Sequence, residues 1–543
     1  MLSADKKPND GDPRDLWRWV VLLLIIVCAA AIRIRLSTMP FERDEGEYAY
    51  IAQQMLKGVP PYVSAYSMKL PGIYAVYALI LAVFGQTHIA IHLGLVIVNA
   101  ATILVIFWLT KDLFGELAGI ASAGTYAIMS LATPVLGLSA NAEHFVILPA
   151  LVGLLLIYRT ADKRRYVRLF AAGLLFGLAF VIKQHGIFFA VFAAVYLLYC
   201  GLRHRPIKWK GLIFTQLVFM VGVITPFALV CLLYRQAGVF EKFWFWTFTY
   251  AGKYATAVPL SLAPSYFLVQ FVPIFKSAMP IWSLALLGLV VIIIVRRLRP
   301  TAVFTVGLLA FSFIAICPGF YFREHYFIFL LPAVALLAGA GFAFLNNQLV
   351  GRLSSSCLWR VTVLVGAIAA GFTLYQQRAY LFYNTPVNVC RLIYGVNPFP
   401  ESLKIADFIR ANSDANDTIV VIGSEPQIYF YSGRRAATRY IYTYPLMETH
   451  HYAAEMQKEM IGEIKSAKPE FMVFVNIPTS WLHRPDSVQD IFKWCDSYVS
   501  SFYDTVGIIE MHPYGQITSR WNEEVIGYKP ASKYWVAVLK RKR

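Results

Sequence analysis

The chain has 543 residues, of which 58% are hydrophobic and only 15% charged, and its mean hydropathy is +0.56. That make-up excludes an ordinary soluble globule and predicts a polytopic α-helical membrane protein. The formal charge of +18 would suit nucleic acid in a soluble protein, but much of the Lys and Arg falls in short loops between apolar runs, as topology signals do. No nucleic-acid partner is expected.

The N-terminus opens on a polar stretch with Lys6, Lys7, Arg14 and Arg18, followed by apolar residues from Val20 to Ile32. The run continues into Arg33, Arg35 and further apolar segments, so it reads as a retained signal-anchor helix. A span needs roughly 17–25 mostly apolar residues. Eleven segments qualify or nearly qualify: 17–37, 88–110, 114–133, 141–158, 168–183, 186–201, 211–233, 279–296, 301–320, 326–345 and 361–378. The apolar stretch from Gly72 to Gly85 is too short. If it crossed, the basic loops Arg159–Arg168, Arg203–Lys210 and Arg296–Arg299 would all lie opposite the basic N-terminus, against the positive-inside rule. Residues 38–87 are therefore expected to form one large outer loop.

Within that loop Tyr48, Ile51, Ala52, Met55 and Leu56 recur at helical spacing, leaving Glu47, Gln53, Gln54 and Lys57 opposite. This predicts an amphipathic helix lying on the membrane, ended by Pro60-Pro61, with a second interfacial segment beginning at Pro71-Gly72. Further on, Lys183-Gln184-His185 reads as a polar hinge on the outer side. A second outer loop, 234–278, carries the aromatic cluster Phe243-Trp244-Phe245-Trp246 with Lys242 and Lys253, suited to the headgroup zone.

An odd number of crossings puts residues 379–543 outside as a soluble domain after a membrane module of residues 1–378. Strand-like runs at Thr418–Gly423, Glu470–Asn476 and Tyr534–Lys540, with helical stretches such as Ser402–Ala411, predict a small α/β domain. The seven cysteines show no metal-ligand spacing; only Cys390 and Cys495 lie in the tail, where a single disulfide is conceivable.

Ionisable residues gather at the outer ends of the spans, where they cost energy unless a partner or a reaction uses them. Asp44, beside Glu45, begins the first-loop helix; a capping box with Glu47 explains it equally well. Lys69 reads as a snorkelling anchor or a phosphate-binding point charge. Glu143 and His144 open another span, Lys183 and His185 sit at the hinge, and Arg323, His325 and Tyr326 precede a further span, although Arg323 and Glu324 could simply pair. A substrate combining lipid with phosphate satisfies the whole set. Two other classes remain open: a transporter or glycolipid flippase, whose paired halves with broken helices are not evident here, and a non-enzymatic receptor or assembly protein using the tail as its binding module.

The chain resembles the polyprenyl-phosphate-dependent glycosyltransferases of the C-type (GT-C) superfamily, specifically glycosyltransferase family 39 and its aminoarabinose-transferase relatives. The matching stretches are Arg43-Asp44-Glu45-Gly46-Glu47-Tyr48, Ala52-Gln53-Gln54-Met55-Leu56, Lys69-Leu70-Pro71-Gly72, Phe84-Gly85, Lys111-Asp112-Leu113-Phe114-Gly115, and His325-Tyr326 with Leu331-Pro332-Ala333. The resemblance implies a GT-C fold of about 11 spans in the cytoplasmic membrane, and a polyprenyl-phosphate sugar as donor. The acceptor would be a lipid, glycan or protein on the outer face. By the same resemblance Asp44, of the Asp44-Glu45 pair, is the catalytic centre, Lys69 contacts the lipid-linked phosphate and Glu143 is a second acidic residue; the charge pattern read above adds Lys183 and Arg323 as expected phosphate partners and His144, His185, His325 and Tyr326 as expected members of the Glu143 side of the site. One departure is Met68, where aminoarabinose transferases carry an acid before the Lys. It leaves Asp44 with Glu143 as the more plausible pair for a divalent cation such as Mg2+ or Mn2+.

Overall fold

The computed structural model describes residues 13–159, 165–203, 205–350, 354–512 and 516–543. Lys6 and Lys7, residues 160–164 of the first basic loop and His204 of the second lie outside the described residues. The chain runs through α1 (Pro13–Arg35), α2 (Arg43–Leu56), α3 (Gly72–Phe84), α4 (His88–Phe114), α5 (Glu116–Met129), α6 (Ala142–Tyr158), α7 (Arg165–Ile182), α8 (Ile187–Arg203) and α9 (Trp209–Gln236). It continues with α10 (Phe240–Trp244), α11 (Ala251–Ala255), α12 (Ala263–Ser277), α13 (Met279–Ile294), α14 (Arg299–Ile316), α15 (Leu331–Leu349) and α16 (Ser355–Gln376). Every one of the eleven expected segments contains a helix.

Among the described residues six helices are both long and apolar enough to cross a membrane. The chain is a multi-pass membrane protein. The stretch expected to be an outer loop, 234–278, is instead largely helical: Phe240–Ala255 and Leu260–Ser277 are two apolar pieces bent by 65°, together counting as a seventh span or a re-entrant loop. Pro259 and Pro264 at the break disguise the helical period. Small residues let the spans approach closely: a Cβ at Gly173 of α7 would sit 2.3 Å from the Phe219 carbonyl of α9, and one at Gly341 of α15 would sit 2.2 Å from the Leu284 carbonyl of α13.

The tail adds α17 (Pro386–Tyr394), α18 (Phe399–Ala411), α19 (Gln427–Ser432), α20 (Tyr444–Met447), α21 (Ala453–Ala467), α22 (Pro478–Trp481) and α23 (Asp490–Phe502) around one sheet. Its strands are β1 (Thr418–Ile422), β2 (Arg435–Ala436), β3 (Phe471–Asn476), β4 (Tyr503–Met511), β5 (Ile517–Trp521) and β6 (Tyr534–Arg541), in the spatial order β2-β1-β3-β6-β4-β5. β1 runs parallel to β2 and β3, and the remaining pairs are antiparallel. Cys390 and Cys495 are both buried free thiols, so the conceivable tail disulfide is absent.

The tail packs directly on the first loop, and this corrects the expectation of a helix lying on the membrane. Both faces of α2 are buried: Tyr48, Ile51 and Ala52 on one side, Glu47, Gln53 and Gln54 on the other. A Cβ at Gly46 would lie 2.6 Å from the Gln427 backbone nitrogen, so the bare glycine lets α19 sit against α2. Tyr50 Oη accepts from the Ala436 backbone nitrogen at 2.9 Å, and Tyr431 Oη accepts from the Phe41 nitrogen at 2.8 Å. The polar face meets protein rather than water.

Candidate active site

Three consecutive residues at the start of α2 point in three directions, because successive helical side chains are turned by about 100°. The N-cap is Glu42, which forms a capping box with Glu45, so Asp44 sits within the first turn and is not the cap. Arg43 reaches into the tail, donating to the Ser424 carbonyl at 2.6 Å, to Asn397 Oδ1 at 2.9 Å and to Glu425 Oε1 at 2.9 Å. Glu45 turns inward: its Oε1 accepts from the Ala140 nitrogen at 2.7 Å and lies 3.0 Å from His92 Nε2. Glu45 lines no part of the cavity, and this corrects its pairing with Asp44 as a reacting group.

Asp44 faces a cavity of about 600 Å3 where the membrane helices meet the tail. Lys69 Nζ lies 2.9 Å from Asp44 Oδ1 and also bonds Glu47 Oε2. The lysine is held in place by its neighbours: Tyr62 Oη donates to the Lys69 carbonyl at 2.7 Å, and Gln184 Nε2 donates to the Met68 carbonyl at 2.8 Å. Its ammonium stands over the rings of Tyr48 at 4.9 Å and Tyr442 at 5.3 Å. The Lys183-Gln184-His185 hinge is a short 3-10 turn between α7 and α8. From it Lys183 bonds Glu143 Oε1 and lies 4.5 Å from the centre of the Tyr326 ring. His185 Nδ1 is 2.7 Å from the Ala315 carbonyl, and its ring meets Tyr326 at 4.9 Å.

The 318–329 segment closes the cavity with Arg323, His325 and Tyr326. His325 Nε2 lies 3.8 Å from Glu143 Oε1. Arg323 does not pair with Glu324; among the described residues it has no carboxylate within ion-pair distance, and its guanidinium lies 5.3 Å from the Tyr321 ring centre. Lys69 and Lys183 each have a carboxylate. Arg323 is the half-buried cation of this cavity left without one among the described residues. Asp44, Lys69, Lys183, His185, Arg323, His325 and Tyr326 therefore share one cavity, and Glu143 joins it through Lys183. His144 does not: it is fully buried and lines no part of the space.

Electrostatics sort the carboxyls at this site. Burial would raise the Asp44 pKa, but Lys69 outweighs it and holds the group well below the usual carboxylate range. Burial, with Asp44 and Glu45 beside it, pushes Glu42 well above that range. Burial, with Lys183 beside it, pushes His325 well below the ordinary histidine value. The cavity thus sets an ionised carboxylate beside a carboxyl that favours its proton, a separation that suits acid and base roles.

The tail supplies residues that sequence reasoning assigned no part. Tyr442 Oη donates to Asp44 Oδ1 at 3.3 Å, and Tyr444 and Glu448 line the same wall. The available signal was the run Tyr440-Ile441-Tyr442-Thr443-Tyr444, three tyrosines within five residues leading into α20. Trp246, Tyr250 and Tyr254 come from the bent helical pair expected to be a loop. For a divalent cation Asp44 and Glu143 offer few donors: each pairs with its own lysine, Glu143 Oε2 is the one buried oxygen of the pair left without a hydrogen-bond partner, and no three His, Cys, Asp or Glu side chains converge among the described residues.

The same arrangement of spans and tail is found in solved enzymes. It is similar to ArnT from Cupriavidus metallidurans in the apo state, at 14% identity over 97% of this chain and 98% of that one, with a TM-score of 0.59. The undecaprenyl-phosphate-bound form of ArnT gives 15% identity, coverage of 96% and 98%, and a TM-score of 0.57. The chain has the GT-C glycosyltransferase fold. AglB, the oligosaccharyltransferase of the archaeon Archaeoglobus fulgidus, solved with an inhibitory peptide and a dolichol-phosphate, shares the GT-C fold at 12% identity over 94% of this chain and 75% of that one, with a TM-score of 0.52. By sequence, residues 68–230 match the family described as dolichyl-phosphate-mannose-protein mannosyltransferase, a segment that holds Lys69, Glu143 and Lys183 but begins after Asp44. No curated protein sequence matches the chain.

Proposed function

We propose that this protein transfers a sugar from a polyprenyl-monophosphate donor to an acceptor at the outer face of the cytoplasmic membrane, with Asp44 as the general base. The observation that carries the reading is one cavity, opening between spans and tail, in which the ionised Asp44 carboxylate lies among Lys69, Lys183 and an Arg323 that has no carboxylate partner among the described residues. A half-buried guanidinium without a counter-ion is favourable beside a phosphate, whose oxygens accept its bonds. The undecaprenyl-phosphate complex of ArnT and the dolichol-phosphate complex of AglB support the choice of ligand class. The clustering of basic loops away from this cavity supports the outward orientation.

The chemistry follows from the positions. The donor phosphate sits against Arg323 and draws Lys69 away from Asp44, which raises the basicity of a carboxylate that is otherwise held ionised and weakly basic. Asp44 takes the proton of the acceptor nucleophile as it bonds to the anomeric carbon. The carbon–oxygen bond to phosphate breaks on the opposite face, the electron pair leaves with the phosphate oxygen, and the sugar inverts. Tyr442 orients the Asp44 carboxylate by its hydroxyl bond. The membrane module, 1–378, carries the reacting groups, and the extracytoplasmic domain, 379–543, closes the cavity. General-base assistance is worth about 10²–10⁴-fold. Purified protein given a labelled polyprenyl-phosphate sugar with membrane extract as acceptor source should release polyprenyl phosphate, and Asp44→Asn at equal expression should lose that release by about this factor; turnover near wild type removes Asp44 from the scheme.

A further inference from the structure

Beside the donor cavity lies a second groove of about 310 Å3, between α21 of the tail and residues 241–246 of the bent helical pair. The two spaces share a wall. Tyr66 and Trp246 line both, with their rings stacked at a centroid distance of 4.9 Å and an interplanar angle of 23°. Tyr66 is fixed on every side: its nitrogen donates to the Arg439 carbonyl at 2.8 Å, its hydroxyl to Glu459 Oε1 at 3.1 Å, and its ring meets Tyr440 edge-on at 5.1 Å. Phe245 and Tyr452 meet edge-on at 5.2 Å and extend the aromatic lining across the junction of the two modules.

The polar groups of the groove are mostly acidic. Glu241, Glu455 and Glu459 face a single ammonium, Lys242. Glu459 is occupied by Tyr66, Tyr440 and Arg439, whereas Glu241 and Glu455 are exposed and have no ion-pair partner among the described residues. Five rings with free carboxylates at their edge suit a saccharide: the C–H faces of the sugar pack on aromatic rings, and its hydroxyls donate to carboxylates that can only accept. With Glu459 paired to Arg439, the open carboxylates of Glu241 and Glu455 outnumber Lys242 and disfavour phosphate and acidic sugars, whereas the donor cavity holds Lys69, Lys183 and Arg323.

We infer that this groove is the acceptor subsite and takes a neutral or amine-bearing saccharide, presenting its reacting hydroxyl past the Tyr66–Trp246 wall toward Asp44. The assignment as acceptor rests on the glycosyl-transfer reading above; the saccharide binding itself does not. The test uses the full chain in nanodiscs, fluorescently labelled, on an array of neutral, amine-bearing and acidic glycans, with phosphatidylglycerol vesicles and undecaprenyl phosphate measured in parallel. Neutral or amine-bearing glycans should bind, and Tyr452→Ala and the exposed change Glu455→Lys should each weaken them at least about tenfold while undecaprenyl phosphate binding stays unchanged. Binding of acidic glycans or vesicles alone, no glycan binding, or glycan binding untouched by both variants overturns the inference. Failure of the donor reading shows separately, as wild-type protein that binds glycans but no undecaprenyl phosphate.

Discussion

Arg43→Met should loosen the tail from the membrane module and disable the site, although the reacting carboxylate Asp44 and its partner Lys69 are left in place. The guanidinium makes three bonds into the tail, to Ser424, Asn397 and Glu425, and its partner Glu425 is completely buried with Ser480 Oγ donating at 2.6 Å as its other bond. Removing the arginine strands a buried carboxylate, which costs about 3–5 kcal/mol. At roughly 1.4 kcal/mol per factor of ten, the docked population falls by a hundredfold to several thousandfold relative to the undocked one. Hydrogen exchange read by mass spectrometry should show peptides 43–56 and 424–432 opening together. Tyr442 loses its reach to Asp44 in the same motion, so transfer falls with protection. Glu425→Gln in the Arg43→Met background removes the stranded charge and should recover more than about 1 kcal/mol relative to the sum of the single changes. Unchanged exchange at both peptides, or strictly additive changes, would refute the claim that this pair docks the tail.

Arg323→Ala should weaken undecaprenyl phosphate binding by about ten- to a hundredfold, the loss expected for a charge-assisted hydrogen bond, read by titration in nanodiscs. Binding within twofold of wild type contradicts its assignment as phosphate ligand. The depressed Asp44 pKa sets a sign for acid stability. A carboxyl whose folded value lies below its unfolded value of about 3.9 contributes stability above that value and loses it as pH falls toward the folded one. The melting-temperature advantage of wild type over Asp44→Asn should therefore be flat from neutral pH down to about 5 and shrink below about 4; a pH-independent difference would show that Lys69 does not stabilise the ionised form.

The charged members of the site were legible because ionisable residues stand out against apolar spans, and Asp44, Lys69, Lys183 and Arg323 needed only a consistent topology to fall on one side. What the sequence could not separate was adjacent side chains on a helix. Asp44 and Glu45, or Glu143 and His144, look equivalent until the burial of each helix face is known, and α2 is buried on both. The tail was opaque for a different reason: Tyr442 reaches Asp44 across 398 positions, and no local pattern announces such a contact. Its strands β1, β3 and β6 are short apolar runs and were visible, whereas β2 has only two residues and β4 mixes Asp504, Gly507 and Glu510 into its apolar core.

The most direct measurement is photocrosslinking of the full-length protein with a diazirine-bearing undecaprenyl phosphate, mapped by peptide mass spectrometry. A lipid phosphate seated between Lys69, Lys183 and Arg323 places adducts on 66–72, 183–188 and 318–326, competed away by excess unmodified undecaprenyl phosphate. Adducts confined to the lipid-facing sides of α9 and α13, with none around Lys69, would contradict it.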